Sequence, residues 1–326
     1  RHTPMNPLIW LTAVAQVAVP LVLIAWFARR SPRGRTAWLL EATIVAAYLV
    51  AIALAGVWLL LPWHTSRVYA VLLALAALRS RAAIVSSPTA AASPAHAPDR
   101  RATLGLLARA AAAVVTVAVA AATLAGHRRP AGAIEVDFPL RSGTYIVANG
   151  GANDLVNLHL GTLDLERARP FRGQSYAVDV VAIDRWGLRA TGVAPTDPAA
   201  YRIFGHAIHA PCAGRVVMTV DGLADLPPPQ ADREHLAGNH VLLDCGKAWI
   251  LLAHMGQGTV AVQTGDTVEA GQVVGQVGNS GNTSEPHLHI HAQTPGTDAA
   301  PLGGEPLPIV LGGRYLARGM RVTTGD

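Results

Sequence analysis

Glu285-Pro286-His287-Leu288-His289-Ile290-His291, preceded by the turn-forming run Gly278-Asn279-Ser280-Gly281-Asn282, decides how the second half of this chain folds. In an extended strand, side chains two apart point to the same side. The stretch therefore predicts a strand with His287, His289 and His291 on one face, and Leu288 and Ile290 packed into a core on the other. Imidazoles gathered on one face beside a turn are how a β-protein assembles a metal site. Zn2+ accepts neutral His nitrogen, and a catalytic zinc needs only three protein ligands plus a water. The pair His287/His289 carries this reading. His291 reads as a histidine that the strand merely tolerates.

Working outward, the charge divides the chain in two. Residues 1–130 hold 13 arginines against Glu41 and Asp99, a net of +11. Residues 131–326 hold the other 13 basic groups and 19 acids, a net of −6. The basic balance thus belongs to an apolar half in which arginines punctuate hydrophobic runs. That is a membrane-topology pattern, and it argues against nucleic acid as a partner.

Residues 1–130 predict a transmembrane region of about four helices, near 7–28, 37–57, 58–78 and 103–126, each close to the ~20 apolar residues a spanning helix needs. The third is the weakest, interrupted by His64 and Arg67. The first ends in Arg29-Arg30 rather than a small-residue cleavage site, so it reads as a retained span rather than a signal peptide. Lys and Arg concentrate in cytoplasmic loops. Arg29, Arg30, Arg33 and Arg35 lie between the first two spans, and Arg79, Arg81, Arg100 and Arg101 between the last two. Four spans with an external N-terminus fit this alternation and export everything after Gly126. His127-Arg128-Arg129 counts against it, and three spans would leave the histidine strand in the cytoplasm. Residues 82–99, rich in Ala, Ser and Pro, read as a flexible loop.

From Ala133 onward the pattern changes to short β-branched runs: Tyr145 to Ala148, Tyr176 to Ile183, Gly214 to Val220, His240 to Asp244, Ala248 to Ala253 and Gln272 to Val277. Turns at Asn149-Gly150-Gly151, Asp221-Gly222 and Gly265-Asp266 separate them. No long amphipathic helix interrupts, so residues 131–326 predict one all-β domain. The only cysteines, Cys212 and Cys245, each sit beside a predicted strand, and an even count in an oxidising compartment favours a disulfide over two buried thiols.

Gly265-Asp266-Thr267-Val268-Glu269-Ala270-Gly271-Gln272, the glycine run 278–282 and Pro286-His287-Leu288-His289 together resemble the lysostaphin-type (LytM-like) zinc metallopeptidases. Gly205 to Gly214, Gly238-Asn239-His240 and Leu252-Ala253-His254-Met255 extend the likeness, which covers roughly Gly143 to Gln293. The resemblance implies antiparallel sheets in a duplicated hybrid motif. It also implies one zinc held by an early histidine, an aspartate and the second histidine of the His-x-His pair. The last two map onto Asp179 and His289. The early histidine usually lies four residues before the aspartate, where this chain has Ser175; His159, in Asn157-Leu158-His159, resembles the histidine of a sub-branch and is the candidate. It reaches the metal only if residues 161–173 fold back. His206 and His209 are reserves, with surface histidines as their simpler reading.

His254 and His287 resemble the family's two non-ligand histidines. Their implied roles, not apportioned between them, are to take a proton from the attacking water and to stabilise the oxyanion or protonate the leaving amine. A residue like His254 in an apolar strand would otherwise read as core. The glycines between Gly275 and Gly281 are too dispersed for a phosphate loop, and Lys247 is the only lysine, so residues 265–281 lack the lysine that a biotinyl or lipoyl carrier needs at its hairpin tip. The apolar runs predict a multi-pass protein of the bacterial inner membrane, and the resemblance implies an endopeptidase acting on peptidoglycan stem peptides or cross-bridges outside the cytoplasm. The substituted Ser175 position keeps open a degenerate domain that binds the wall or regulates a wall hydrolase. The inserted Leu226-Pro227-Pro228-Pro229-Gln230 is expected to edge the cleft.

Overall fold

The computed structural model describes residues 7–30, 34–86 and 100–325. They form two compact units: an α-helical one up to Gly56 and from Trp63 to Leu124, and a β-rich one comprising Val57–Pro62 and the chain from Ala125.

In the helical unit, α1 (Pro7–Thr12) continues through a π-helical turn (Ala13–Ala18) into α2 (Val19–Arg29), followed by α3 (Arg35–Ala55), α4 (Thr65–Ser86) and α5 (Arg100–Ala125). Among the described residues, three helices are long and apolar enough to cross a membrane: Trp10–Arg29, Arg35–Ala55 and Arg100–Ala125. The segment read from sequence as 58–78 lies further along the chain. Pro62 cannot donate to a helix running through it, so the helix begins at Thr65, and the helix-forming Arg79 and Arg81 carry it to Ser86. Residues 82–86 are thus helical rather than loop, and 87–99 lie outside the described residues.

A π turn releases carbonyls from the helical ladder, and those need donors where water is scarce. Tyr48 donates its hydroxyl to the Ala15 carbonyl and Tyr69 to that of Gln16, both at 2.6 Å. Glu41, buried in α3, accepts from Arg30 Nη1 at 3.0 Å and Arg109 Nε at 2.8 Å. A carboxylate in apolar surroundings needs such partners.

The β unit contains β1 (Ile134–Val136), β2 (Gly143–Asn149), β3 (Val178–Ala182), β4 (Ala207–His209), β5 (Gly214–Val220), β6 (Asn239–Asp244), β7 (Trp249–Met255), β8 (Thr267–Val268), β9 (Val273–Gln276), β10 (Leu288–Gln293), β11 (Pro306–Leu307), β12 (Ile309–Leu311), β13 (Arg314–Tyr315) and β14 (Arg321–Thr324). The main sheet runs β14-β2-β3-β10-β7-β6-β5-β8, with β11 also on β10. Its pairings are antiparallel, as the alternating short runs predict. The histidine strand β10 sits at its centre. Leu288 and Ile290 are fully buried in the core with Val178, Val180, Leu252 and Ile250. Sequence periodicity missed two 3-10 segments, Leu158–Thr162 and Glu166–Tyr176, which have no apolar stripe to announce them.

Cys212 and Cys245 are bonded, with Cα atoms 5.9 Å apart and a separation of 33 positions in sequence. Closing a loop of that length stabilises by about 2–4 kcal/mol. Replacing both cysteines by serine is expected to lower the melting temperature of the β unit by roughly 5–15 °C. Calorimetry on the full chain reads this, and an unchanged transition would mean the bridge constrains nothing.

Candidate metal centre

Asp179 and His289 are direct partners in the β3–β10 ladder, which brings residues 110 positions apart side by side. His289 Nδ1 lies 2.9 Å from Asp179 Oδ1. His287, just before β10 begins, points its Nε2 to the same carboxylate at 3.6 Å. The period-two spacing of the motif thus delivers both rings to one face, as the sequence predicts.

His254 arrives differently. In β7, Leu252 and Met255 both face the core although they are three apart, so one extra residue lies between the two faces. The pairing with β6 shifts register here, and His254 adopts φ of +60°. This bulge turns onto the cleft side a ring that strict alternation would send into the core. Its Nδ1–H donates to the Ser280 carbonyl at 2.9 Å, leaving the Nε2 lone pair free. Likewise, His287 Nδ1–H donates to the Glu285 carbonyl at 2.8 Å. The two ring centroids are 4.8 Å apart. Ser280 comes from the glycine run: Gly281 has φ of +86°, and a Cβ on Gly278 would collide with the Gly256 backbone.

His159 lies on the Leu158–Thr162 turn, and its Nε2 approaches Asp179 Oδ2 to 3.5 Å. Residues 161–173 do fold back. Ser175, at the position where the sequence reading expected a histidine, is buried; its Oγ donates to the Arg172 carbonyl and lies 2.7 Å from Thr162 Oγ1. It ties the His159 turn to the approach of β3 instead of facing the carboxylate. His159 Nδ1 lies 3.2 Å from Asn157 Oδ1, which accepts from it when Nε2 carries the lone pair. In the other tautomer it accepts from Asn149 Nδ2 at 2.8 Å. Arg318 fixes Asn149 by donating to its Oδ1 at 2.7 Å. Sequence reasoning missed Asn149 and Arg318 as parts of the site, since no spacing links them to the motif.

His291 is buried rather than a tolerated edge residue. Gln293 Nε2 donates to the Pro301 carbonyl at 2.7 Å, so its Oε1 faces His291 Nε2 at 3.2 Å and accepts from it. His291 Nδ1 is then an acceptor for His289 Nε2–H at 3.1 Å. The chain of bonds fixes one tautomer of His289, with the lone pair on Nδ1 aimed at Asp179. An outer partner of this kind orients a metal-binding imidazole and raises its basicity.

His159, Asp179 and His289 offer ligand atoms that all lie within 4.8 Å of one another, and so do His254, His287 and His289. Two imidazole nitrogens and a carboxylate oxygen suit Zn2+. Both sets share His289. Burial lowers the His159 pKa to about 4, with Asp179 opposing and His289 adding to the shift, so the ring is neutral at pH 7 as a ligand must be. Burial also takes His254 well below its ordinary value, helped by His287 and His289. For Asp179, burial alone would raise the pKa, but the neighbouring His159, His287 and His289 outweigh it and hold the carboxyl ionised.

These rings open into a cleft of about 280 Å³. One wall is apolar, with Phe171, Leu236, Ala237, Leu251 and Leu302; Asn282, Thr283 and Ser284 form a polar rim. Leu226 is pinned to Asn279, and the lining comes from Leu236 and Ala237 rather than from residues 226–230. His206 packs on Tyr145, and His209 Nδ1 lies 3.3 Å from the Pro139 carbonyl; neither joins the metal-binding sets.

Residues 199–301 match the model of peptidase family M23, a segment containing His254, His287 and His289 but not His159 or Asp179. The sequence resemblance to the lysostaphin-type peptidases is thus met independently over that segment. Among solved structures, the catalytic domain of lysostaphin from Staphylococcus simulans is 20% identical, covering 39% of this chain and 71% of that one, with a TM-score of 0.25. Whole lysostaphin from the same organism is 20% identical, covering 39% and 40%, with a TM-score of 0.24. A zinc-containing peptidase from Vibrio cholerae is 18% identical, covering 36% and 46%, with a TM-score of 0.23. The chain therefore spans less than half of whole lysostaphin and of the Vibrio protein. No curated protein matches it.

Proposed function

We propose that this chain, whose segment 199–301 is of the M23 peptidase type, is a membrane-anchored zinc endopeptidase that hydrolyses peptide bonds of peptidoglycan stems or cross-bridges. One observation carries the reading. Two imidazoles and a carboxylate meet in one cleft, and two further imidazoles present Nε2 beside them. His159 Nε2, Asp179 and His289 Nδ1 would hold a Zn2+, which would supply Lewis-acid polarisation and a water of lowered pKa, towards ~7.

The protein's own groups do the proton work. His254 and His287 have Nδ1 committed to backbone carbonyls, so each acts through Nε2. One takes the proton of the attacking water at Nε2 and passes it to the leaving amine; the other, when protonated at Nε2, would hydrogen-bond the carbonyl oxygen as charge develops. Ser280 and Glu285 hold the rings in place, and Gln293 through His291 holds His289.

Four membrane crossings with an external β domain are favoured by one hydrogen bond. Arg189 donates Nη1 to the Leu59 carbonyl at 2.9 Å, and Leu59, between α3 and α4, belongs to the β-rich unit. If α3 and α5 cross, α4 must cross too, or the two atoms would lie on opposite sides. At ~1.5 Å per residue its 22 residues reach about 33 Å, enough to span. The arginines around Arg30 and Arg79 then fall on the cytoplasmic side.

The rival reading, a wall-binding domain without catalysis, began from Ser175. Ser175 has a bonding role of its own, and the approach of His159 Nε2 to Asp179 Oδ2 at 3.5 Å supports His159 as the early ligand. Digesting purified cell wall with the full-length chain plus zinc, and identifying the products by mass spectrometry, tests the proposal. New peptide ends that vanish on chelation are expected. Wall binding without new ends would favour the rival.

A further inference from the structure

Outside the cleft, the β unit shows an uneven distribution of exposed apolar side chains. Leu155, Leu158, Leu165, Trp186, Leu188 and Val193 are all exposed. Among the described residues after 130, the only other large apolar side chain so exposed is Val273. A globular surface carries scattered leucines without consequence, but here all except Val273 are confined to two short stretches of chain. These six fall in two segments, 155–165 and 186–193.

Each segment is tied to a chain position at the end of an apolar helix. Ala152 donates its N–H to the Gly126 carbonyl at 2.8 Å, and Gly126 directly follows α5. A Cβ on Gly126 would collide with Asn153 and Val156, so the contact is close. The second segment is held by Arg189, which bonds the carbonyls of Leu59 and Val193 and both oxygens of Glu285. Leu59 lies in the short link between α3 and α4. Trp186 carries the Arg185 guanidinium at 5.2 Å from its ring. Indole beside guanidinium suits the headgroup zone, where Trp is enriched and Arg meets phosphate.

We propose that segments 151–165 and 184–193 dock on the bilayer that α3, α4 and α5 cross, seating the metal cleft at the membrane surface. The inference rests on the proposed membrane crossings but not on catalysis. The cleft follows the docking face closely in sequence. His159 lies between Leu158 and Leu165, and Glu285, the partner of Arg189, is two residues before His287. The substrate class narrows accordingly to peptides presented at the membrane face, such as a lipid-linked chain or the innermost layer of the wall.

Nitroxide labels on the full chain in phosphatidylcholine–phosphatidylglycerol liposomes, free of other proteins, test this. The variants are Trp186→Cys, Leu155→Cys, Val273→Cys as the water reference and Val115→Cys, on the exposed side of α5, as the lipid reference. Labels at 186 and 155 are expected to collide with oxygen several-fold more readily than with a water-soluble nickel chelate, as at 115, with the opposite ratio at 273. Water-like ratios at 186 and 155 alongside a lipid-like 115 would overturn the docking and leave the crossings standing; this is also the result if a protein, not lipid, covers the face. A water-like 115 would overturn the crossings and the docking with them.

Discussion

His289→Ala is expected to lose both bound zinc and hydrolysis. His289 belongs to both groups of converging donors, so among the described residues no set of three survives its removal. Its loss also leaves His291 Nδ1 without its donor. Zinc affinity depends on ligand number, and a three-ligand site reduced to His159 and Asp179 falls below what a catalytic zinc requires. Metal analysis of the purified full chain should give about one zinc for the parent and none for the variant. The fold should persist, because β10 keeps Leu288 and Ile290 in the core and its backbone ladder to β3 and β7. Hydrolysis retained by a zinc-free, folded His289→Ala protein would sink the metal mechanism.

How much of this was legible without coordinates depends on the kind of pattern each residue belongs to. His287 and His289 announce themselves because strand geometry has a fixed period, so two-residue spacing is already a statement about direction. Asp179 sits in a β-branched run, but nothing local says its carboxylate meets His289; only strand pairing does. His254 breaks the alternation rule, since its side follows from a bulge that no propensity predicts. His159 is further removed. Its approach depends on a 3-10 turn stitched by Thr162 and Ser175, and the substituted position that looked like damage in the sequence is part of that stitch. His291 shows the opposite error. Judged by its neighbours it was a bystander, yet buried between His289 and Gln293 it has one consistent hydrogen-bond arrangement. The spans were readable from apolarity, but helix ends depend on Pro62 and on continuation past Arg79 and Arg81, which window averages blur.

His254 and His287 should separate metal binding from chemistry. His287→Ala removes no donor from the set His159, Asp179 and His289, and neither does His254→Ala. Each variant should therefore keep about one zinc while hydrolysis falls by about 10²–10⁴-fold, the usual contribution of a positioned proton-transfer group. The backbone makes His254 the more demanding test, because φ of +60° is at least as unfavourable for alanine as for histidine. His254→Gly relieves that strain while removing the same ring. If His254 acts only by shaping the bulge, the glycine variant should recover activity; if its Nε2 moves a proton, both variants should be equally slow. Two groups serving one sequence of proton transfers also combine non-additively. The double variant His254→Ala/His287→Ala should thus be little worse than the slower single one, whereas multiplied losses would mean the two rings act in independent steps.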